Sequence, residues 1–209
     1  MIGLDSAPMT LMLLVVNVLV SAYGLFMDPK LISRLSFRPL LIQKGESYRF
    51  LTGAFVHAGL GHLAFNMITL YFFGPWMELR LGPIPFLLLY FGSLFAAHAY
   101  TYVKKKNDPT YAAVGASGAV SGVLLGFCLY EPFSLLYIMF AIPMPAILFA
   151  VLYIGGSIYM AKQAEAQGTR GGIAHEAHLG GALGGLLITV ALDPGSVGTF
   201  IRQLTSVIG

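Results

Sequence analysis

A chain of 209 residues that is 57% hydrophobic and 10% charged lies far from the soluble balance of about half apolar and a quarter charged residues. It reads as a polytopic membrane protein, with room for about six spans of roughly 20 residues each. The net charge of +3 is scattered through loops without interleaved aromatics, which argues against a nucleic-acid partner, and the single cysteine, Cys128, excludes an intrachain disulfide or a thiol–metal cluster.

The first apolar stretch, Met9 to Met27, has neither a basic flank nor a small-residue cleavage site. It is therefore expected to be a retained span over 8–27 and not a removed signal peptide. Residues 28–60 set Leu31, Ile32, Leu35, Phe37, Leu40, Leu41 and Ile42 among Lys30, Arg34, Arg38 and Lys44. That mixture predicts a partly helical segment in the membrane interface, its basic side chains snorkelling to phosphates. Spans over 61–82 and 84–103 follow, joined by the tight turn Gly82-Pro83-Ile84-Pro85. Lys104-Lys105-Lys106-Asn107-Asp108-Pro109 is a solvated loop that anchors at the membrane surface. A fourth span covers 115–130, an apolar connection 131–143, and a fifth span 144–161. The polar stretch Lys162 to Gly171 reads as the mobile segment, and the sixth span covers 174–192. There is no internal repeat and no soluble domain, so 1–209 reads as a single all-α membrane domain.

Polar side chains inside spans are costly and invite a functional reading. His62 and Asn66 lie four residues apart on one face of the second span, while His57, a turn earlier, reads as interfacial. Seven small residues crowd 115–122: Gly115, Ala116, Ser117, Gly118, Ala119, Ser121 and Gly122. Alone, such a tract means close helix packing. The stripe Gly118, Gly122, Gly126 in the fourth span has a counterpart in the sixth, where Gly181 and Gly185 continue the face of His178. If the stripes meet, Ser117 and His178 come together at matching ends of their helices. A serine needs a base, and neutral imidazole is the usual one. The Asn66 amide, His62 and the backbone N–H groups opening the fourth helix can supply donors to an oxyanion. Glu176 points off the His178 face, which leaves a dyad without an acidic third member. A zinc site on His62, His175 and His178 is the competing chemistry, but it gives the Gly-Ala-Ser-Gly tract no role.

These elements together resemble the rhomboid family of intramembrane serine proteases, in the family's order over essentially the whole chain. The tract from His57 to Asn66 is similar to the second-helix motif, whose last His and Asn help bind the oxyanion. Gly115-Ala116-Ser117-Gly118 matches the nucleophile motif, and Ala177-His178 with Gly181 and Gly185 matches the motif of the general base. The resemblance implies structural roles for Glu78 and Arg80 in Glu78-Leu79-Arg80-Leu81-Gly82. Tyr48-Arg49 stands where Trp-Arg is common in the family, and Ser121 stands where a tyrosine often stacks on the catalytic imidazole.

The resemblance implies a six-transmembrane-helix bundle with a long interfacial first loop and a nucleophile in a water-filled cavity below the membrane surface. It implies an intramembrane serine endopeptidase that cuts transmembrane-segment protein substrates: Ser117 attacks, His178 is the base, and Asn66 and His62 hold the oxyanion. No cofactor or metal is expected. The fifth span and the stretch 162–173 are expected to form the gate, and the location is a lipid bilayer, the bacterial inner (plasma) membrane. The rival readings are an inactive rhomboid-like protein that binds membrane clients and a small transporter or channel. Ten of the twelve Lys and Arg residues follow odd-numbered spans, which by the positive-inside rule places those loops in the cytoplasm. The family topology implies the opposite side, and the whole-chain motif match outweighs the charge count.

Overall fold

The computed structural model describes residues 3–138, 142–167 and 175–208. In chain order it holds α1 (Pro8–Phe26), three short helices α2 (Pro29–Leu35), α3 (Pro39–Gln43) and α4 (Arg49–Thr52), then α5 (Leu60–Leu81) and α6 (Pro83–Lys105). There follow α7 (Ser117–Tyr130), a hairpin of β1 (Leu135–Ile138) and β2 (Ile142–Pro145), α8 (Ala146–Gln167), α9 (His175–Leu192) and α10 (Gly195–Ile208). All six predicted spans are helices, with ends within about two residues of the predicted ones except at the C-terminus of α8. There the helix runs on through Lys162 to Gln167, because Ala, Glu, Gln and Lys are good helix formers even though they are polar. The remainder of the expected gate segment, 168–173, lies outside the described residues.

Two elements go beyond the six spans. The connection 131–143 contains an antiparallel hairpin in which Leu135 pairs with Pro145 and Ile138 with Ile142. The helix α10 folds back against α7 and α9, bent by 106° from α9. Asp193 starts it, its carboxylate accepting from the Gly195 N–H at 3.0 Å.

Proline opens α1, α2, α3 and α6, where its missing N–H costs nothing. Gly82, with φ of +90°, makes the turn into α6 that a side chain would strain. The segment 28–60 is partly helical, as predicted, and is held by Arg49. This side chain is only 4% exposed. It donates to the Ser33 and Ser36 carbonyls at the end of α2 and pairs with Glu46 at 2.6 Å. Glu78, also buried, caps α1: its carboxylate accepts from the Met9 and Thr10 N–H groups at 2.9 and 2.7 Å and from the Thr10 hydroxyl. Arg80 pairs with Asp193 at 3.3 Å and lies over the Tyr130 ring, tying together the ends of α5, α7 and α9.

The helix α7 stands at the centre, buried at every residue from Gly118 to Tyr130. Its 14 residues span about 21 Å, short of a hydrocarbon core of about 30 Å. By length and apolarity α1 and α6 each suffice to cross a bilayer. The others are shorter or carry polar groups, and those groups are what build the site.

Candidate active site

The predicted glycine stripes meet. A Cβ on Gly181 would collide with the Gly118 carbonyl, one on Gly185 with the Gly122 backbone, and one on Gly122 would stand 2.9 Å from the Gly181 carbonyl oxygen. Thus α7 and α9 run in parallel, backbone against backbone, as small-residue stripes allow. A second pair on α9, Gly180 and Gly184, seats the same helix on Ala96 and Ala97 of α6. This contact decides what happens at the ends of the two helices.

Ser117 is the first residue of α7 and His178 the fourth of α9. Both open on one cavity of about 90 Å³, together with His62, Asn66, Phe65 and Thr69 of α5, Ser121 of α7, and Phe149 and Tyr153 of α8. The four residues singled out in the sequence therefore share one chamber. Among the described residues no hydrogen bond joins the Ser117 hydroxyl to the His178 ring; such bonds commonly tighten only around bound substrate. The Ser117 N–H belongs to the first turn of α7, whose donors have no intrahelical acceptor and carry the positive end of the helix dipole.

The loop before Ser117 is fixed from below. Gly115 has φ of +110°, and its N–H donates to the Gly53 carbonyl at 2.9 Å. A Cβ there would lie 2.5 Å from the His62 ring, so only glycine lets that ring cover the backbone next to Ser117. His57, expected at the interface, is instead fully buried. The reason is a closed chain of hydrogen bonds. Ser21 donates to the Phe55 carbonyl at 3.0 Å, so its oxygen accepts from His57 Nδ1 at 2.7 Å, and His57 Nε2 accepts from the Ala116 N–H at 3.4 Å. Burial pushes the His57 pKa down to about 3, with the neighbouring His62 acting in the same direction, so the ring stays neutral and Nε2 remains an acceptor. The sequence signals of His57 are the spacing to His62 and its place at the head of the tract that runs to Asn66.

Asn66 is buried, and its Nδ2 donates to the His62 carbonyl at 3.0 Å, which leaves the second amide hydrogen for the cavity. His62 stands edge-on to His57, with ring centres 5.0 Å apart. Glu176 turns to Lys105, 2.8 Å away, and among the described residues no carboxylate lines the cavity. His175 lies edge-on to His178 at 6.0 Å, outside the lining.

The aromatic missing at position 121 is supplied from another helix. Tyr153 of α8 stacks on His178 with centroids 5.4 Å apart and planes inclined by 22°. Its hydroxyl lies 2.7 Å from Ser121 Oγ. Sequence reasoning passed over Tyr153 because a tyrosine in an apolar span, four residues after Phe149, looks like ordinary packing.

A family model described as the Rhomboid domain matches residues 44–194. The chain belongs to the rhomboid family. RHOMBOID-like protein 12, mitochondrial, of Arabidopsis thaliana is 35% identical over 155 residues, covering 67% of this chain and 45% of that protein. Rhomboid protease GluP of Bacillus subtilis (strain 168) is 30% identical over 169 residues, covering 80% of this chain and 30% of its own length. Inactive RHOMBOID-like protein 8 of Arabidopsis thaliana is 31% identical over 85 residues, 41% of this chain and 24% of that protein. The chain spans less than half the length of these relatives. This rhomboid is thus an all-α integral membrane protein.

Proposed function

We propose that this rhomboid is a serine endopeptidase that hydrolyses peptide bonds in or near transmembrane segments. The observation that supports it most is the shared cavity: Ser117 and His178 open on the chamber that also holds His62 and Asn66. His178 takes the Ser117 proton as Oγ attacks the scissile carbonyl. The developing oxyanion is held by the Ser117 N–H at the α7 terminus, the spare Asn66 amide hydrogen and the His62 ring. His178 then passes its proton to the leaving amine. Water, activated by the same imidazole, frees the acyl group from Ser117. The imidazole works without a carboxylate partner, and its orientation comes from packing.

Substrate reaches this chamber from the side. The helices α5 and α8 flank the cavity, yet among the described residues they share no substantial packing, whereas α7, α6 and α9 are pressed together. A transmembrane segment can enter between α5 and α8, and a stretch that leaves its helical hydrogen bonds easily offers its peptide bond to Ser117 first. The membrane, on this reading, is a bacterial plasma membrane.

Cleavage of a reporter transmembrane substrate in liposomes tests the reading. Wild type is expected to cut, with Ser117→Ala and His178→Ala falling to background and His175→Ala retaining activity. Undiminished cutting by Ser117→Ala or His178→Ala would end the dyad. A wild type without cleavage would favour the client-binding role, in keeping with the relative described as inactive.

A further inference from the structure

We infer that Tyr153 is the positioning residue for His178, and that by standing on α8 it makes the orientation of the imidazole depend on the closure of the side of the cavity through which substrate enters. The inference rests on the endopeptidase reading and names how that site is regulated.

The geometry is a relay between two helices. Ser121 spends its hydrogen on the Ser117 carbonyl, at 2.5 Å, so its oxygen is left as an acceptor. The Tyr153 hydroxyl, 2.7 Å away, donates to it. That bond fixes the in-plane position of a ring whose face lies on the imidazole. On its other face Tyr153 carries Phe149, stacked at 6.0 Å and 21°, so the pile is Phe149, Tyr153, His178. Two of its three members move with α8. Among the described residues nothing else in the cavity lining offers His178 an aromatic face: Phe65 belongs to α5, and the position one turn past Ser117 is Ser121.

The consequence is a coupling. If α8 swings away from α5, the hydroxyl leaves Ser121 and the ring leaves the imidazole together. The base is then unsteered while the cavity is open, and steered again when α8 returns over bound substrate. An open, water-filled site is thereby kept from running a poorly aligned reaction. In a chain with the aromatic on α7 itself, opening α8 would leave the stack intact.

Four variants and one spectroscopic signal test this. Tyr153→Leu should lower kcat about tenfold with little change in KM, the upper range for an aromatic pair. Tyr153→Phe and Ser121→Ala, which keep the ring and lose the hydrogen bond, should each lower it about threefold. The double variant Ser121→Tyr with Tyr153→Leu moves the ring to α7 and should recover most of the loss. In histidine-labelled protein in detergent, ring current should shift the His178 Cε1–H resonance upfield in wild type and Tyr153→Phe. The shift should be absent in Tyr153→Leu and return in the double variant. An unchanged kcat together with an unchanged His178 resonance in Tyr153→Leu overturns the inference. Because the resonance needs no turnover, it reads the ring's role even if wild type does not cleave, so failure of the endopeptidase reading is separated from failure of this one.

Discussion

The two walls of the cavity are built on different principles. On one side α6, α7 and α9 meet through glycine and alanine, so backbone touches backbone and there is little to rearrange. On the other side α8 reaches the site through long side chains, Tyr153 on Ser121 and His178 foremost. Side chains can let go one at a time, whereas backbones in contact cannot. On the proposed function, the difference assigns the Ser117–His178 spacing to the glycine wall and the access of substrate to the α8 wall. On the same proposal, it explains how a bundle can be both rigid at Ser117 and open to a polypeptide.

The comparison breaks first at Gly181. Gly181→Val drives a side chain into the Gly118 carbonyl and should cost about 3 kcal/mol or more, read as a lowered unfolding temperature in detergent. A melting point like that of wild type would mean that the glycine wall is not close-packed. Glu78→Ala strips the buried cap from two N–H groups and a hydroxyl of α1 and should cost about 2–3 kcal/mol by the same assay. This measures how firmly the outer helices are tied to the wall. For the moving side, cysteines at Phe65 and Phe149, joined by a short bifunctional reagent, should lower turnover about tenfold and leave the melting temperature unchanged or raised. Full turnover after crosslinking would show that α8 need not move. The smallest effect belongs to Gly155 on α8, where a Cβ meets nothing within 4 Å. Gly155→Ala should stabilise the helix by about 0.5–1 kcal/mol, the sign opposite to Gly181→Val. A loss there instead would erase the contrast between the walls.

Much of this was legible in the sequence, and what was not has physical reasons. The spans announce themselves because an apolar run of bilayer length has few other uses, and the glycine repeats at four residues foretold the α7–α9 contact. The last helix escaped because α10, GSVGTFIRQLTSVI, is amphipathic and too polar to read as a span. The hairpin escaped because Leu135–Ile138 looks like any apolar connection. His57 escaped because its burial depends on Ser21 and Ala116, 36 and 59 residues away, and spacing along one helix cannot show partners on others. Tyr153 escaped for the same reason. The charge count after odd-numbered spans also reads differently in three dimensions. Arg49 is buried against carbonyls and Glu46, Lys105 is paired with Glu176, and Arg34 with Asp28, so three of those cations do structural duty.

The central claim is that the glycine wall holds Ser117 as a nucleophile activated by His178. A fluorophosphonate probe followed by peptide mass mapping tests it most directly, without any choice of substrate. The account predicts one adduct on Ser117, retained in His175→Ala and reduced at least about a hundredfold in rate in His178→Ala, the scale of general-base assistance. Labelling of Ser121 or another serine, or Ser117 labelling that is indifferent to His178→Ala, would contradict it.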